Sequence, residues 1–319
     1  MAFATTSLLA PILRALGPKD RQAGRVTGFV LAGSLAAVVV AVVSMLLLML
    51  GWALVAAHGE LRRLPEAMTA LMESNRPGRS LLSYVFELLV AGVSTYLAAL
   101  AILALARAIF GRPIRSFLTW APRFRWGLVA AGFAIGLPLV ALGFLAERVG
   151  DHSPLTPPIL TPHAGAQALG YGAAALVCLY LAAFSEEAIF RGWLLQQTAV
   201  WTRNLPLMLA INGVLFSAMH LDFAPGNFLV RVVMGVGWAW LALRTGGVEF
   251  TTGVHLANNL FLALFVAPVT FVAPKAGALS FGGAAIEAGV VLAVAAAAEL
   301  YLRRKGSAVA DADGLLAES

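Results

Sequence analysis

Apolar stretches long enough to cross a bilayer recur along nearly the whole of this chain. Crossing a hydrocarbon core takes about 20 residues of helix. Eight stretches reach or approach that length, at about 28–57, 84–107, 127–146, 167–184 and onward, 205–221, 228–244, 250–267 and 284–302. They lack the period-two alternation of a membrane barrel, so helices are expected to do the crossing. The 319 residues are 60% hydrophobic and 12% charged, against about 25% charged in an average soluble domain. The reading is an integral, multi-pass membrane protein: an all-α transmembrane bundle of about eight helices, with its site in an intramembrane cavity. Residues 1–27 are expected as a cytoplasmic N-terminal segment, 28–305 as the helical domain and 306–319 as a disordered tail. The first apolar run continues for about 30 residues without an Ala-x-Ala boundary, beyond the roughly 7–15 of a signal-peptide core, and is read as a retained helix.

The formal net charge is +6, but the basic residues are scattered through loops beside the apolar stretches, as charges that set orientation are. A lipid bilayer is the partner this implies, and nucleic acid is not. In an eight-crossing count, fifteen of the 22 Lys and Arg fall on one side and six on the other, with Arg231 inside a stretch. That asymmetry puts both termini in the cytoplasm of a bacterial-type inner or plasma membrane. The single cysteine, Cys178, cannot form an intrachain disulfide. GRPIRSFLTWAPRFRWG mixes arginines with Trp120 and Trp126 and reads as an interfacial segment. A Pro-rich stretch holding His152 and His163 reads as an outer loop, with metal binding as its minor reading.

Function is sought in ionisable groups at membrane depth, where a charge costs about 2.5–3.5 kcal/mol by insertion scales. SEEAIFRG follows an apolar run and carries two adjacent carboxylates. Glu187 and Arg191 are four apart with the acid first, the spacing of a pair on one helix face. Glu186 points about 100° away and has no local partner. A carboxylate so placed suits general acid or base chemistry, with Glu187 and Arg191 as its support. Alone, His220 and His255 each read as packing histidines. Together they change the odds, because His255 and Asn259 lie one turn apart and present an imidazole and a carboxamide to one cavity, as an oxyanion site requires. Asn258 points off that face, and hydrogen bonding between helices is its reading. Phe216 packs beside His220. Glu87 has no motif around it and reads as a buried acid or a partner for another helix.

EEAIFR, FSAMH and HLANN have the forms Glu-Glu-x-x-x-Arg, Phe-x-x-x-His and His-x-x-x-Asn, in that order on successive apolar stretches. The segment from about 184 to 259 thereby resembles the CPBP family, the CAAX prenyl protease and bacteriocin-processing (Abi) group of intramembrane endopeptidases. The resemblance implies hydrolysis of peptide bonds in membrane-associated proteins or peptides, prenylated CAAX-type chains among them. Glu186 with His220 would activate water, His255 with Asn259 would stabilise the oxyanion, and Glu187 and Arg191 would hold the catalytic helix. No cofactor is required on this reading. A zinc-dependent alternative stays open, with Glu186, His220 and His255 as the ligand set. So do a transporter and a non-cleaving immunity scaffold on the same fold, which loss of cleavage in Glu186→Gln would separate from a protease.

A strict up-and-down count leaves one conflict. Glu186 and His255 fall toward one side of the membrane and His220 toward the other. Continuation of the fourth stretch as helix through Arg191 to about Gln197 is expected to bring Glu186 to mid-membrane.

Overall fold

The computed structural model describes residues 11–72, 81–151, 157–160, 165–270 and 280–317, and no strand occurs among them. Eight main helices follow in order: α1 Ala23–Ala56, α2 Leu81–Phe110, α3 Trp126–Asp151, α4 Gln167–Trp201, α5 Leu205–Ala218, α6 Pro225–Thr245, α7 Glu249–Phe265 and α8 Phe281–Ala317. Six of them are long and apolar enough to cross a membrane, whereas α5 and α7 have 14 and 17 residues. The chain is an integral, multi-pass all-α bundle, as its apolar stretches imply. His152 and His163 lie outside the described residues. The last helix carries its backbone on to Ala317, through the stretch read from sequence as a disordered tail. Alanine, the best helix former, recurs there and lets the helix continue.

The two short helices sit at the centre of the bundle's chemistry. α7 is buried along most of its length, with Thr251, Thr252, Gly253, Val254 and His255 in an unbroken buried run. It approaches α3 so closely that a Cβ built on Gly132 would overlap the Phe250 carbonyl, and one on Gly253 the Val129 carbonyl. Small residues at a helix contact permit this approach where lipid gives no hydrophobic drive between helices. α5 and α6 meet in the same way, a Cβ on Gly213 falling 2.6 Å from the Val232 oxygen. α1 lies at the periphery, with Leu31, Leu35, Val38, Val42 and Leu46 exposed as a lipid-facing side chain should be.

The depth conflict is resolved by two helices. α4 runs unbroken to Trp201, as its sequence predicts, through a π-helical segment at Ala188–Leu194. α5 is also short: at 1.5 Å per residue, its 14 residues rise about 21 Å, less than the roughly 30 Å of a hydrocarbon core. Counted from the connection between them, Glu186 lies fifteen residues before Trp201 and His220 fifteen residues after Leu205. Both therefore lie about 22 Å from that connection.

The 111–125 segment is only partly the interfacial strip expected from its composition. Trp120 and Trp126 do face outward, at 53% and 62% exposure, but Phe117 is fully buried. The chain wedges beneath the α6–α7 turn, where Trp120 N–H donates to the Gly246 carbonyl at 3.0 Å and Val248 N–H to the Leu118 carbonyl at 2.8 Å. Gly246 makes this turn with φ +72°, a left-handed conformation that costs glycine little. Arg125 closes the wedge by pairing with buried Glu249, the first residue of α7.

Candidate active site

Four helices converge on one polar group, in which Glu187, Arg191 and His255 are buried, Glu186 and Asn259 are half-buried and His220 is exposed. α4 supplies Glu186, Glu187 and Arg191; α5 supplies Phe216 and, just past its end, His220; α6 supplies Trp238; α7 supplies His255 and Asn259. Glu187 and Arg191 form the expected i,i+4 pair, with Arg191 Nη1 donating to Glu187 Oε1 at 3.1 Å and both side chains completely buried. Arg191, counted from sequence among the loop cations, thus lies inside α4.

Sequence reasoning missed the second bond of Glu187. Its Oε1 is 3.0 Å from His255 Nδ1. A carboxylate only accepts, so Nδ1 carries the proton and the other ring nitrogen is turned toward Glu186. His255 Nε2 lies 3.8 Å from Glu186 Oε2. Glu187 is fully enclosed while the Glu186 side chain is 32% exposed. The adjacent carboxylates therefore separate into one that is held and one that can be reached.

His220 is oriented by the same principle. Its Nδ1 lies 2.9 Å from the Phe216 carbonyl oxygen, an obligate acceptor, so Nδ1–H donates and Nε2 remains a free lone pair. The Phe216 ring is 4.9 Å from the His220 ring and 6.2 Å from that of His255. It therefore does more than pack beside His220, because the Arg191 guanidinium also lies 4.2 Å over its face. Trp238, which nothing polar in its neighbourhood marked, packs 4.6 Å from the His255 ring and 5.3 Å from Arg191. Aromatic faces here attract the cation that Glu187 neutralises.

Asn259 follows His255 by one turn of α7. Asn258, expected to bond to another helix, instead donates from Nδ2 to Asn259 Oδ1 at 3.1 Å. Adjacent residues rarely face each other on a helix, but the two amides are long enough to meet across the half-buried edge. Glu87 is buried on α2, away from any motif, as its reading had it. Asn212 was also missed: its Nδ2 donates at 2.7 Å to the Phe190 carbonyl, inside the π-helical segment. That widened turn shifts the regular bonding pattern, and a polar side chain in the otherwise apolar LPLMLAINGVLFSA was the available signal.

Among the described residues, no group of three His, Cys, Asp or Glu side chains is gathered in a way that could hold a metal ion. Glu186, His220 and His255 do not form such a set.

This geometry defines a class: a polar, multi-helix centre enclosed in a membrane bundle. Residues 169–261, which include all three motifs, match the family described as Type II CAAX prenyl endopeptidase Rce1-like. The sequence resemblance to the CPBP family is thereby borne out over this segment. The chain is also 28% identical over 167 residues to the uncharacterized protein YyaK of Bacillus subtilis (strain 168), covering 50% of this chain. It spans about half, 54%, of that relative's length. No solved structure matches the chain.

Proposed function

We propose that this protein is an intramembrane endopeptidase of the CAAX type, acting on a membrane-associated protein or peptide. The observation that carries the reading is the division between the two carboxylates: Glu187 is fully buried and gives Oε1 to both Arg191 and His255, while Glu186 is 32% exposed and faces His255 Nε2 at 3.8 Å.

In the proposed mechanism a water sits between Glu186 and His220 Nε2. Glu186 takes one proton as the water oxygen bonds to the scissile carbonyl carbon, and the carbonyl oxygen becomes an oxyanion. Asn259 donates to that oxyanion, and His255 donates from Nε2 in its doubly protonated form. Collapse breaks the C–N bond, and the proton returns from Glu186 to the leaving nitrogen. Glu187 keeps His255 in register, Arg191 neutralises Glu187, and Phe216 and Trp238 exclude solvent. No step calls for a metal. The orientation proposed with it, both termini in the cytoplasm of a bacterial-type inner membrane, rests on the Lys and Arg asymmetry of an eight-crossing count.

The test uses a farnesylated peptide ending in Cys-aliphatic-aliphatic-X as substrate and full-length protein in bilayer nanodiscs. Wild type should release the C-terminal tripeptide with or without a chelator. Glu186→Gln should lose about 10²–10⁴ of that rate while accumulating and melting as wild type does. Normal cleavage by Glu186→Gln would sink the mechanism. Loss of wild-type activity on chelation, restored by one divalent ion, would replace it with a metalloprotease mechanism.

A further inference from the structure

The turn that carries His220 is short and follows α5 directly. α5 ends at Ala218, and the next residues close in single tight turns, with His220 N–H donating to the Ser217 carbonyl and Leu221 N–H to the Ala218 carbonyl, both at 3.1 Å. Leu221 then reverses the chain with φ +54°, a left-handed conformation that a bulky side chain rarely adopts. Met219, Leu221 and Phe223 all point outward, at 69%, 80% and 64% exposure. Apart from the stacking of Phe223 on Phe228 of α6, with ring centroids 5.9 Å apart, these side chains add little apolar packing against the bundle.

Asp222 supplies what packing lacks. One carboxylate oxygen accepts from Ala224 N–H at 3.2 Å, fixing the residues that follow. The other accepts from Asn227 Nδ2 at 2.9 Å and from Arg231 Nη1 at 3.0 Å, both on α6. Asn227 first and Arg231 second hold the Asp222 carboxyl below the usual aspartate range, so it is ionised and the latch is charged. Ser217 Oγ adds a tie from α5 to the Phe228 carbonyl at 2.9 Å. The site described above uses none of Asp222, Asn227 or Arg231.

We propose that Asp222, clamped by Arg231 and Asn227, is the positioning element of the active site: it fixes the α5–α6 turn so that His220 Nε2 stays at the depth and angle of Glu186. The proposal rests on His220 acting in hydrolysis. It gives Arg231, an arginine within a membrane-crossing helix, a function at one remove from the chemistry.

Two measurements separate the latch from the catalytic reading. Cys178 is the only cysteine in the chain, so a Cys178→Ala background carrying Leu221→Cys reports on the turn through its rate of reaction with a small maleimide. Asp222→Ala and Arg231→Met should raise that rate several-fold, and Arg231→Lys should keep it near the parent value. In the otherwise wild-type chain, with the farnesylated peptide, Asp222→Ala and Arg231→Met should lower kcat about 10- to 100-fold, the cost of a misplaced catalytic group. KM should move by less than about twofold, as for a loss confined to the transition state. Arg231→Lys should recover most of kcat, and Asp222→Ala with Arg231→Met should be no worse than either alone. Unchanged labelling, or faster labelling with unchanged kcat, would overturn the proposal. His220→Ala tests the reading beneath it: full cleavage by that variant would overturn the catalytic assignment, and the latch's functional role with it, even where labelling shows the latch to exist.

Discussion

Two Arg–Glu pairs anchor α7, one half-buried and one fully buried, and they are built to opposite standards. At its first residue, Glu249 meets Arg125 side on: Nε donates to Oε1 at 2.9 Å, Nη2 to Oε2 at 2.8 Å, and Nη1 is taken by the Thr245 carbonyl at 2.8 Å. At the site, Arg191 gives Glu187 a single bond of 3.1 Å, while its Nε and Nη2 have no hydrogen-bond partner among the described residues and its face lies against Phe216 and Trp238. A buried donor left unpaired costs about 1–3 kcal/mol, so the second pair is a poor staple. What it does instead is hold one oxygen of Glu187 against both a cation and His255. The first pair is a fastener whose bonds are all used. The second accepts an energetic cost to orient an imidazole, which is the signature of a site rather than of a scaffold.

The sharpest way to break this comparison is to remove the acid from the poorer pair. Glu187→Ala strands a fully buried guanidinium and frees His255 Nδ1. Losing one partner of a buried pair costs about 3–5 kcal/mol, so less protein should accumulate in the membrane, and the fraction that folds should cleave little. Thermal unfolding in detergent beside the rate per folded molecule checks both. A variant with wild-type melting and wild-type rate would show that Glu187 neither fastens nor orients.

Next in size is Asn259→Ala, which in the proposed mechanism removes an oxyanion donor and, with it, the bond from Asn258. Removing one such donor costs about 10²–10³ in rate, with stability lowered by no more than the one neutral hydrogen bond from Asn258, about 0.5–1.5 kcal/mol. A loss in KM alone, with kcat intact, would assign Asn259 to substrate binding. The fastener should behave in the opposite way. Glu249→Gln keeps the shape and loses the charge, at about 1.5–3 kcal/mol for hydrogen bonds to a charged group. Its melting temperature should fall while the rate per folded molecule stays at the wild-type level. An equal loss of rate would mean that the two pairs are not separate devices.

The sequence made some of this legible because membrane burial leaves few reasons for a polar residue. Eight helices, the i,i+4 pair of Glu187 and Arg191 and the run-on of α4 past Arg191 all follow from apolar length and residue spacing. Features formed between helices did not follow. The bond from Glu187 to His255 joins residues 68 apart in sequence, and Trp238 carries no polar mark at all. α5 could not be recognised as too short to span, because its apolar stretch continues in sequence to Leu221 while its helix stops at Ala218. A left-handed leucine ends the turn that follows, and no glycine announces it. The wedge of residues 111–125 was misjudged for a related reason: its composition is interfacial, and only the unpaired backbone of the α6–α7 turn draws part of it inward.

The smallest expected effect tests the finest distinction, between the two asparagines of HLANN. Spacing alone sets Asn258 about 100° from Asn259 and makes its loss silent. The structure joins them, Asn258 Nδ2 donating to Asn259 Oδ1 at 3.1 Å. An oxygen so occupied turns the Asn259 NH2 group away from Asn258, leaving its donors for another acceptor. Asn258→Ala deletes that one neutral hydrogen bond, worth about 0.5–1.5 kcal/mol net, and leaves Asn259 free to rotate. At about 1.4 kcal/mol per factor of ten, kcat should fall by no more than about tenfold, clearly less than in Asn259→Ala. The double variant should match Asn259→Ala alone, since Asn258 acts only through its neighbour. A wild-type rate in Asn258→Ala would show that the amide of Asn259 is oriented by something else. A further loss in the double variant would give Asn258 a contact of its own with the substrate.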